Sequence, residues 1–237
     1  GLGGQLELRG ATVAIASRIE AAAGLIEVYS DGDLVLKDGA QVDVAGRLRE
    51  FDGSSFAVAA GTVRLVSTGG DLTLDEGSLI DVSAAGAGRA GTVRLVVPTG
   101  ALRLDGLVDG SAVRAADSGR ITIDAGAVGS VDLLNARLDQ GGLHAARMVR
   151  QRDAGDLVVG AQGMRAEHVV LTADAPSIND TKVTAAGGKV GPAARPKPSC
   201  VPAEAMSLAP VHLLIVDDHA LVRMGLAQLL LELPGGC

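Results

Sequence analysis

Apolar and polar residues alternate along most of the chain, in short runs bounded by glycine or aspartate. In the segment 61–66, for example, the apolar residues Val63 and Leu65 alternate with polar neighbours. The same alternation recurs at 72–74 and at 80–82. Strict alternation over a few residues predicts short strands that are buried on one side.

The alternating runs also repeat. The residues Gly-Thr-Val-Arg-Leu-Val at 61–66 recur unchanged at 91–96, and the segment 33–44 is similar to 71–82. A unit of this size is too small to bury its own apolar side, so it must stack on its neighbours. The repeats therefore favour a solenoid over a sandwich or a propeller.

The composition narrows the architecture further. The 237 residues include 33 glycines, two Phe, one Tyr and no Trp. Small aliphatic side chains suit the narrow interior of stacked coils, and glycine and aspartate suit their tight corners. A β-sandwich would more often bury a large ring. We therefore predict an all-β fold for residues 1–190, namely a right-handed parallel β-helix.

Two parts of the chain resemble a known family. The segment 70–83, Gly-Asp-Leu-Thr-Leu-Asp-Glu-Gly-Ser-Leu-Ile-Asp-Val-Ser, is followed by a Gly/Ala-rich turn and by Gly-Thr-Val-Arg-Leu at 91–95. This pattern resembles the shaft of filamentous-haemagglutinin-like exoproteins, and the stretches 155–163 and 169–174 are similar to a recurring part of the same shafts. The resemblance covers about residues 1–190 and implies a large bacterial protein exported by two-partner secretion.

The resemblance implies a structural role at the cell surface or in secreted form. We expect a shaft without catalytic activity, whose loops at 83–90 and 105–118 contact host cells, matrix or other cells. An outer-membrane two-partner-secretion transporter would export the full-length protein. The chain starts at Gly1 without a recognisable signal peptide, so we expect an internal fragment of a longer protein.

The alternating pattern stops near Val190. Five of the eight prolines lie within 192–210, which predicts an extended linker over 191–210. The following run, Val-His-Leu-Leu-Ile-Val, is typical of a strand buried on both faces, and leucines at helical spacing come after it. We therefore predict an isolated β-strand and helix over 211–237.

The segment 214–223, Leu-Ile-Val-Asp-Asp-His-Ala-Leu-Val-Arg, resembles the start of a response-regulator receiver domain. In that family an acidic pair at this position, here Asp217 and Asp218, helps to hold Mg²⁺ beside a phosphoacceptor aspartate. The family's phosphoacceptor and lysine have no counterpart before Cys237. We therefore predict an inactive metal site and no cofactor. The alternative function is a cytoplasmic response-regulator (phosphorelay receiver) protein, with Mg²⁺ as its cofactor, that is truncated and non-functional in this chain.

Other candidate chemistry is sparse. The histidines have no partner at metal-ligand spacing, so we expect them to be solvated or packed: His144, His168, His212 and His219. We attribute the aspartates at predicted corners to turn hydrogen bonding instead of calcium binding: Asp71, Asp75, Asp81 and Asp105. A β-helical enzyme that degrades polysaccharides with paired carboxylates is a second alternative function.

Charge, apolar run length and cysteine count exclude several classes of partner and fold. The chain has 21 basic and 28 acidic residues, for a net charge of −7, which disfavours nucleic acid. It has no run of about 18 apolar residues, so we expect no membrane insertion. With only Cys200 and Cys237, the chain has too few cysteines for a zinc finger or a disulfide scaffold.

Overall fold

The computed structural model describes residues 1–153, 157, 159 and 164–174, together with the backbone of 212–213. Its strands wind in successive coils, and each strand of the winding pairs in parallel with the equivalent strand of the next coil. The prediction of a mostly β, parallel, solenoid-like fold is therefore confirmed.

The first four coils each contribute one strand to each of three sheets. In chain order the elements are β1 (Gln5–Gly10), β2 (Val13–Ile15), β3 (Arg18–Glu20), β4 (Leu25–Ser30), β5 (Leu34–Leu36), β6 (Gln41–Asp43), β7 (Arg47–Phe51), β8 (Ser54–Val58), β9 (Thr62–Ser67), β10 (Leu72–Leu74), β11 (Leu79–Asp81), β12 (Thr92–Leu104), β13 (Leu107–Asp109), β14 (Arg120–Ala127), α1 (Val131–Gln140), β15 (Ala146–Gln151), β16 (His168–Ala173) and β17 (His212–Leu213). A 3-10 turn covers Ala115–Asp117.

Three parallel sheets form the sides of the solenoid. Sheet 1 has the order β1-β4-β9-β12-β14-β15-β16-β17, sheet 2 the order β2-β5-β10-β12, and sheet 3 the order β3-β6-β11-β13. The long strand β12 serves two sheets, because residues 92–97 pair within sheet 1 and residues 102–104 within sheet 2. Among the described residues, the one antiparallel pair is β7–β8.

The two identical repeats lie side by side in sheet 1. Val63 pairs with Val93, and Leu65 pairs with Leu95. All four side chains are fully buried, as their alternation predicts. The column of Val63 and Val93 continues to Ile121 in the next strand. Full burial of each such side chain contributes about 1.5–3 kcal/mol.

A column of glycines at the corner before sheet 1 lets successive coils approach closely. The Thr62 N–H donates to the Gly24 carbonyl at 2.8 Å, and the Thr92 N–H donates to the Gly61 carbonyl at 3.1 Å. A Cβ atom on Gly61 would overlap the Gly24 carbonyl, and one on Gly91 would overlap the Gly61 carbonyl. Only a residue without Cβ fits there, which explains the first position of the repeat.

Aspartates at the corners bond to backbone N–H groups. The Asp71 carboxylate accepts from the Ala101 N–H of the next coil at 2.8 Å. The Asp81 carboxylate accepts from the Ser83 N–H at 2.9 Å. The sequence-based attribution to turn hydrogen bonding is confirmed for Asp81, whereas Asp71 bonds across to the next coil and not within its own turn.

One helix interrupts the strands and corrects the all-β prediction for residues 1–190. The Ser130 Oγ accepts from the Leu133 N–H at 3.3 Å and caps the start of α1. Leu134 and Leu138 are buried, and α1 packs against β13 where sheets 2 and 3 end. The i, i+4 leucines between a serine cap and Gly141 were the sequence signal for this helix.

The structure corrects the predicted loop at 105–118 and does not describe the predicted linker. The segment 105–118 is not one loop, because it contains β13, whose Val108 is buried and pairs with Ile80. The connection proper is 110–119. The predicted linker 191–210 lies outside the described residues.

Candidate functional site

At one corner of the solenoid, connections of very different length join sheet 3 to sheet 1. The first coil turns this corner with residues 21–24 alone, whereas the next three use 44–61, 82–91 and 110–119. Because their coils are stacked, these three connections lie next to one another. We call them together the corner surface.

Backbone hydrogen bonds join the neighbouring connections of the corner surface. The Gly46 N–H donates to the Ser83 carbonyl at 2.8 Å, and the Ala84 N–H donates to the Ser111 carbonyl at 2.9 Å. The corner surface is therefore continuous. It includes the whole of the predicted contact loop 83–90 and the second half of the segment predicted at 105–118.

The connection 44–61 forms an antiparallel hairpin of β7 and β8, which sequence analysis missed. The two-residue turn is Asp52-Gly53, and both residues have positive φ, at 49° and 72°. Two successive positive φ values define a type I′ turn, which strongly favours Asp-Gly. An Asp-Gly pair between alternating residues was thus a usable hairpin signal.

One face of the hairpin lies partly against the connection 82–91, and Leu48 on this face stays 57% exposed. Leu48 and Ala57 are opposite each other on this face. A Cβ atom on Gly86 would lie 3.1 Å from the Leu48 side chain, and one on Gly88 would lie 3.0 Å from the Ala57 Cβ. Small residues in the connection therefore make room for the hairpin.

The opposite face of the hairpin carries two exposed rings. Phe51 is 76% exposed and Phe56 is 55% exposed, and they are two of the three aromatic residues in the chain. Arg49 lies directly opposite Phe56 in the strand pair. Aromatic and arginine side chains are enriched where proteins bind partners. This face is therefore our candidate contact site.

A charged network holds the base of the hairpin on the first two coils. The Arg47 guanidinium lies 3.0 Å from the Glu20 carboxylate and 3.1 Å from the Asp43 carboxylate. Arg18 lies 2.7 Å from Asp43. Burial raises the pKa of Asp43, but the Ala45 N–H and the two guanidinium groups outweigh burial and hold that pKa below its ordinary value.

A second ionic cluster lies inside the solenoid. Arg147 pairs with Ile121 in sheet 1, points inward and is fully buried. Its guanidinium donates to Asn135 at 2.5 Å, to Asp139 at 2.6 Å and to the Leu143 carbonyl at 2.7 Å. Burial lowers the pKa of Arg147, and Asp139 opposes that shift. The cluster fastens α1 to sheet 1, so we assign it a structural role.

The predicted metal and histidine positions give no assembled centre in the described part of the chain. No group of three or more His, Cys, Asp or Glu residues there could hold a metal ion. His144 contacts the Arg165 carbonyl at 3.4 Å, and His168 is exposed. Asp217 and Asp218 lie outside the described residues.

Within that same part, no helix has the length and apolar character needed to cross a membrane. Comparisons with known proteins leave the family open: no family model matches the chain, and no curated protein or solved structure matches it. Function must therefore be inferred from the residues and their geometry.

Proposed function

We propose that this chain is part of the shaft of a large bacterial exoprotein, secreted or held at the cell surface, and that it does not catalyse a reaction. The observation that carries the proposal is the unbroken aliphatic column of sheet 1, from Ile26 through Val63 and Val93 to Ile121. Each coil adds a ladder of backbone hydrogen bonds and one apolar layer. A rod built in this way lengthens without changing its cross-section.

The same proposal includes right-handed winding and an export route. Connections between parallel strands are right-handed in nearly all sheets, which favours a right-handed parallel β-helix here. The sequence resemblance to filamentous-haemagglutinin-like shafts supports export of the full-length protein through an outer-membrane transporter. The acidic net charge of −7 favours rods that stay soluble.

In this proposal the corner surface makes the contacts with host cells, matrix or other cells. The coils behind it supply a rigid support, and the hairpin supplies the apolar groups. Phe51 and Phe56 are the residues that we expect to contribute most, because rings that become buried on binding dominate interface energies.

Retention of protein-coated beads on cultured cells and on matrix-coated wells tests this proposal. Beads carrying Phe51→Ser/Phe56→Ser should lose most of their retention relative to the unchanged chain. The matched control is Leu133→Ser, because Leu133 is 71% exposed but lies near the start of α1, beside Leu102 and Leu104 of sheet 2. Equal retention of all three proteins would contradict the role of the hairpin.

A second readout addresses the absence of catalysis. Incubation of the purified chain with acidic polysaccharides should release no new reducing ends. Release that disappears when one carboxylate pair is changed to amides would replace the shaft proposal with a polysaccharide-degrading enzyme.

A further inference from the structure

The outer edge of β8 is unpaired in the part of the chain that the structure describes, because its sheet contains only β7 besides. Phe51 and Ser54 close the two-residue turn and therefore form a hydrogen-bonded pair. Hydrogen-bonded and non-hydrogen-bonded residue pairs alternate along two antiparallel strands. The N–H and C=O groups of Ser55 and Ala57 therefore point away from β7. Strand β8 thus presents donors and acceptors at two positions along its free edge.

Strand β8 also lacks the features that usually protect an edge. Its sequence, Ser-Ser-Phe-Ala-Val, contains no charged residue and no proline, and its first four residues are exposed. Natural edge strands are typically blocked by lysine, proline or a bulge. Strand β7, by contrast, carries Arg47, Arg49 and Glu50. The β8 edge is therefore the one that is open to another strand.

We propose that β8 pairs in antiparallel fashion with β8 of a second copy of this chain, in a register centred on Phe56. Ser55 then lies opposite Ala57 of the other copy, so the outward N–H and C=O groups of both residues are bonded in both copies. The two Phe56 rings face each other in the non-hydrogen-bonded kind of pair, where side chains are closest. Aromatic pairs are favourable in that position.

Charge selects this pairing over the equivalent one through β7. In the β8 register no charged side chains oppose each other, whereas two β7 strands centred on Arg49 would place two guanidinium groups opposite each other. Pairing would also extend the two-stranded hairpin to a four-stranded sheet, which adds backbone hydrogen bonds along the β8 edge. The proposal uses the hairpin alone and does not depend on the shaft function.

Sedimentation velocity of the full chain at increasing concentration tests the pairing. We expect a monomer–dimer equilibrium. Phe56→Lys removes the ring pair and places two ammonium groups opposite each other, so it should weaken the dimer by at least about tenfold. Leu133→Lys, a matched change on α1, should leave the dimer unchanged, and both variants should unfold like the original chain because both positions are exposed.

Disulfide trapping tests the register. In a background with Cys200→Ser and Cys237→Ser, Phe56→Cys should cross-link two copies under mild oxidation, because Cα atoms in such a pair lie about 4.5 Å apart. Phe51→Cys is at least as exposed but lies at the turn, outside the proposed strand pair, so it should not cross-link. A monomer at every concentration, a dimer that survives Phe56→Lys, or equal cross-linking at both positions would overturn the proposal.

Discussion

The stacked coils and the segment that follows them fill the same inward column in opposite ways. At Val93 and Ile121 the column is aliphatic, but one strand further on it holds Arg147, which is equally buried. The difference lies in what packs against the position. Arg147 contacts α1, which supplies Asn135 and Asp139 as acceptors, and the next strand β16 places an aliphatic residue, Val169, in the column again.

This contrast shows that an inward residue must match the groups that pack against it, and that a hydrophobic residue is only the commonest choice. A buried charge is costly unless it is paired and hydrogen-bonded. Arg147 meets that condition with three acceptors from the region of α1. In the regular coils a charge has no such acceptors.

The largest expected effect comes from placing a new charge inside the regular coils. Val93→Arg would bury a guanidinium between the aliphatic side chains of Val63 and Ile121, without acceptors. We expect a loss of more than about 4 kcal/mol in the free energy of unfolding. Urea unfolding followed by circular dichroism measures it.

The matched control for that change is Val35→Arg. Val35 is half-buried and points outward from sheet 2, so the same substitution should alter stability by no more than about 0.5 kcal/mol. Equal losses for the two variants would mean that the inward column has no special requirement.

A smaller loss is expected when the charge is removed from its own site. Arg147→Ala would remove a fully buried side chain together with its hydrogen bonds to Asn135, Asp139 and the Leu143 carbonyl, at a cost of about 2–5 kcal/mol in the same unfolding experiment. Arg120→Ala, which removes an exposed arginine from sheet 1, serves as the control and should change little. A loss below about 1 kcal/mol for Arg147→Ala would show that the cluster is dispensable.

The smallest effect concerns the network at the base of the hairpin and appears as a pH dependence. Because the pKa of Asp43 in the folded chain lies below its ordinary 3.8, its stabilisation is present above that value and is lost as the pH falls through the folded pKa. Asp43→Asn should cost about 1.5–3 kcal/mol at pH 7 and flatten the acid limb of stability against pH.

The control for the pH experiment is Asp109→Asn. Asp109 occupies the same column of sheet 3 as Asp43 and accepts from the Ser111 N–H, but no arginine pairs with it in the described part of the chain. Its variant should keep the acid limb of the original chain. If both variants lose stability in the same way as the pH falls, the arginines beside Asp43 do not cause the pH dependence.

Much of the regular solenoid could be predicted from the sequence, because its repeats are nearly identical. The segment repeated unchanged at 61–66 and 91–96 predicts the strands, the inward direction of the valines and the glycine at the corner. The inward position of Arg147 could not be predicted in this way. The neighbouring Met148 is 41% exposed, so hydrophobicity alone favours the wrong side of β15. Pairing with Ile121 and contact with α1 decide the orientation, and both are tertiary effects.

The candidate site was predicted only in part. The loops at 83–90 and 105–118 were expected to make contacts, but their stacking into one surface follows from the parallel register, which spacing alone does not give. The hairpin and α1 had local signals, at Asp52-Gly53 and at Ser130, that the glycine-rich context obscured. The predicted inactive metal site at Asp217 and Asp218 stays a prediction.

The corner that carries the hairpin has a consequence for how such a chain can vary. Strands β4 and β9 keep an unbroken register from Leu25–Thr62 to Ser30–Ser67, although residues 44–61 intervene at that corner. Extra length there is therefore absorbed without any shift of the ladder. Insertions and deletions can accumulate at this position between related sequences, and a peptide grafted into several coils would be presented as an array spaced by about 4.8 Å, the distance between neighbouring strands.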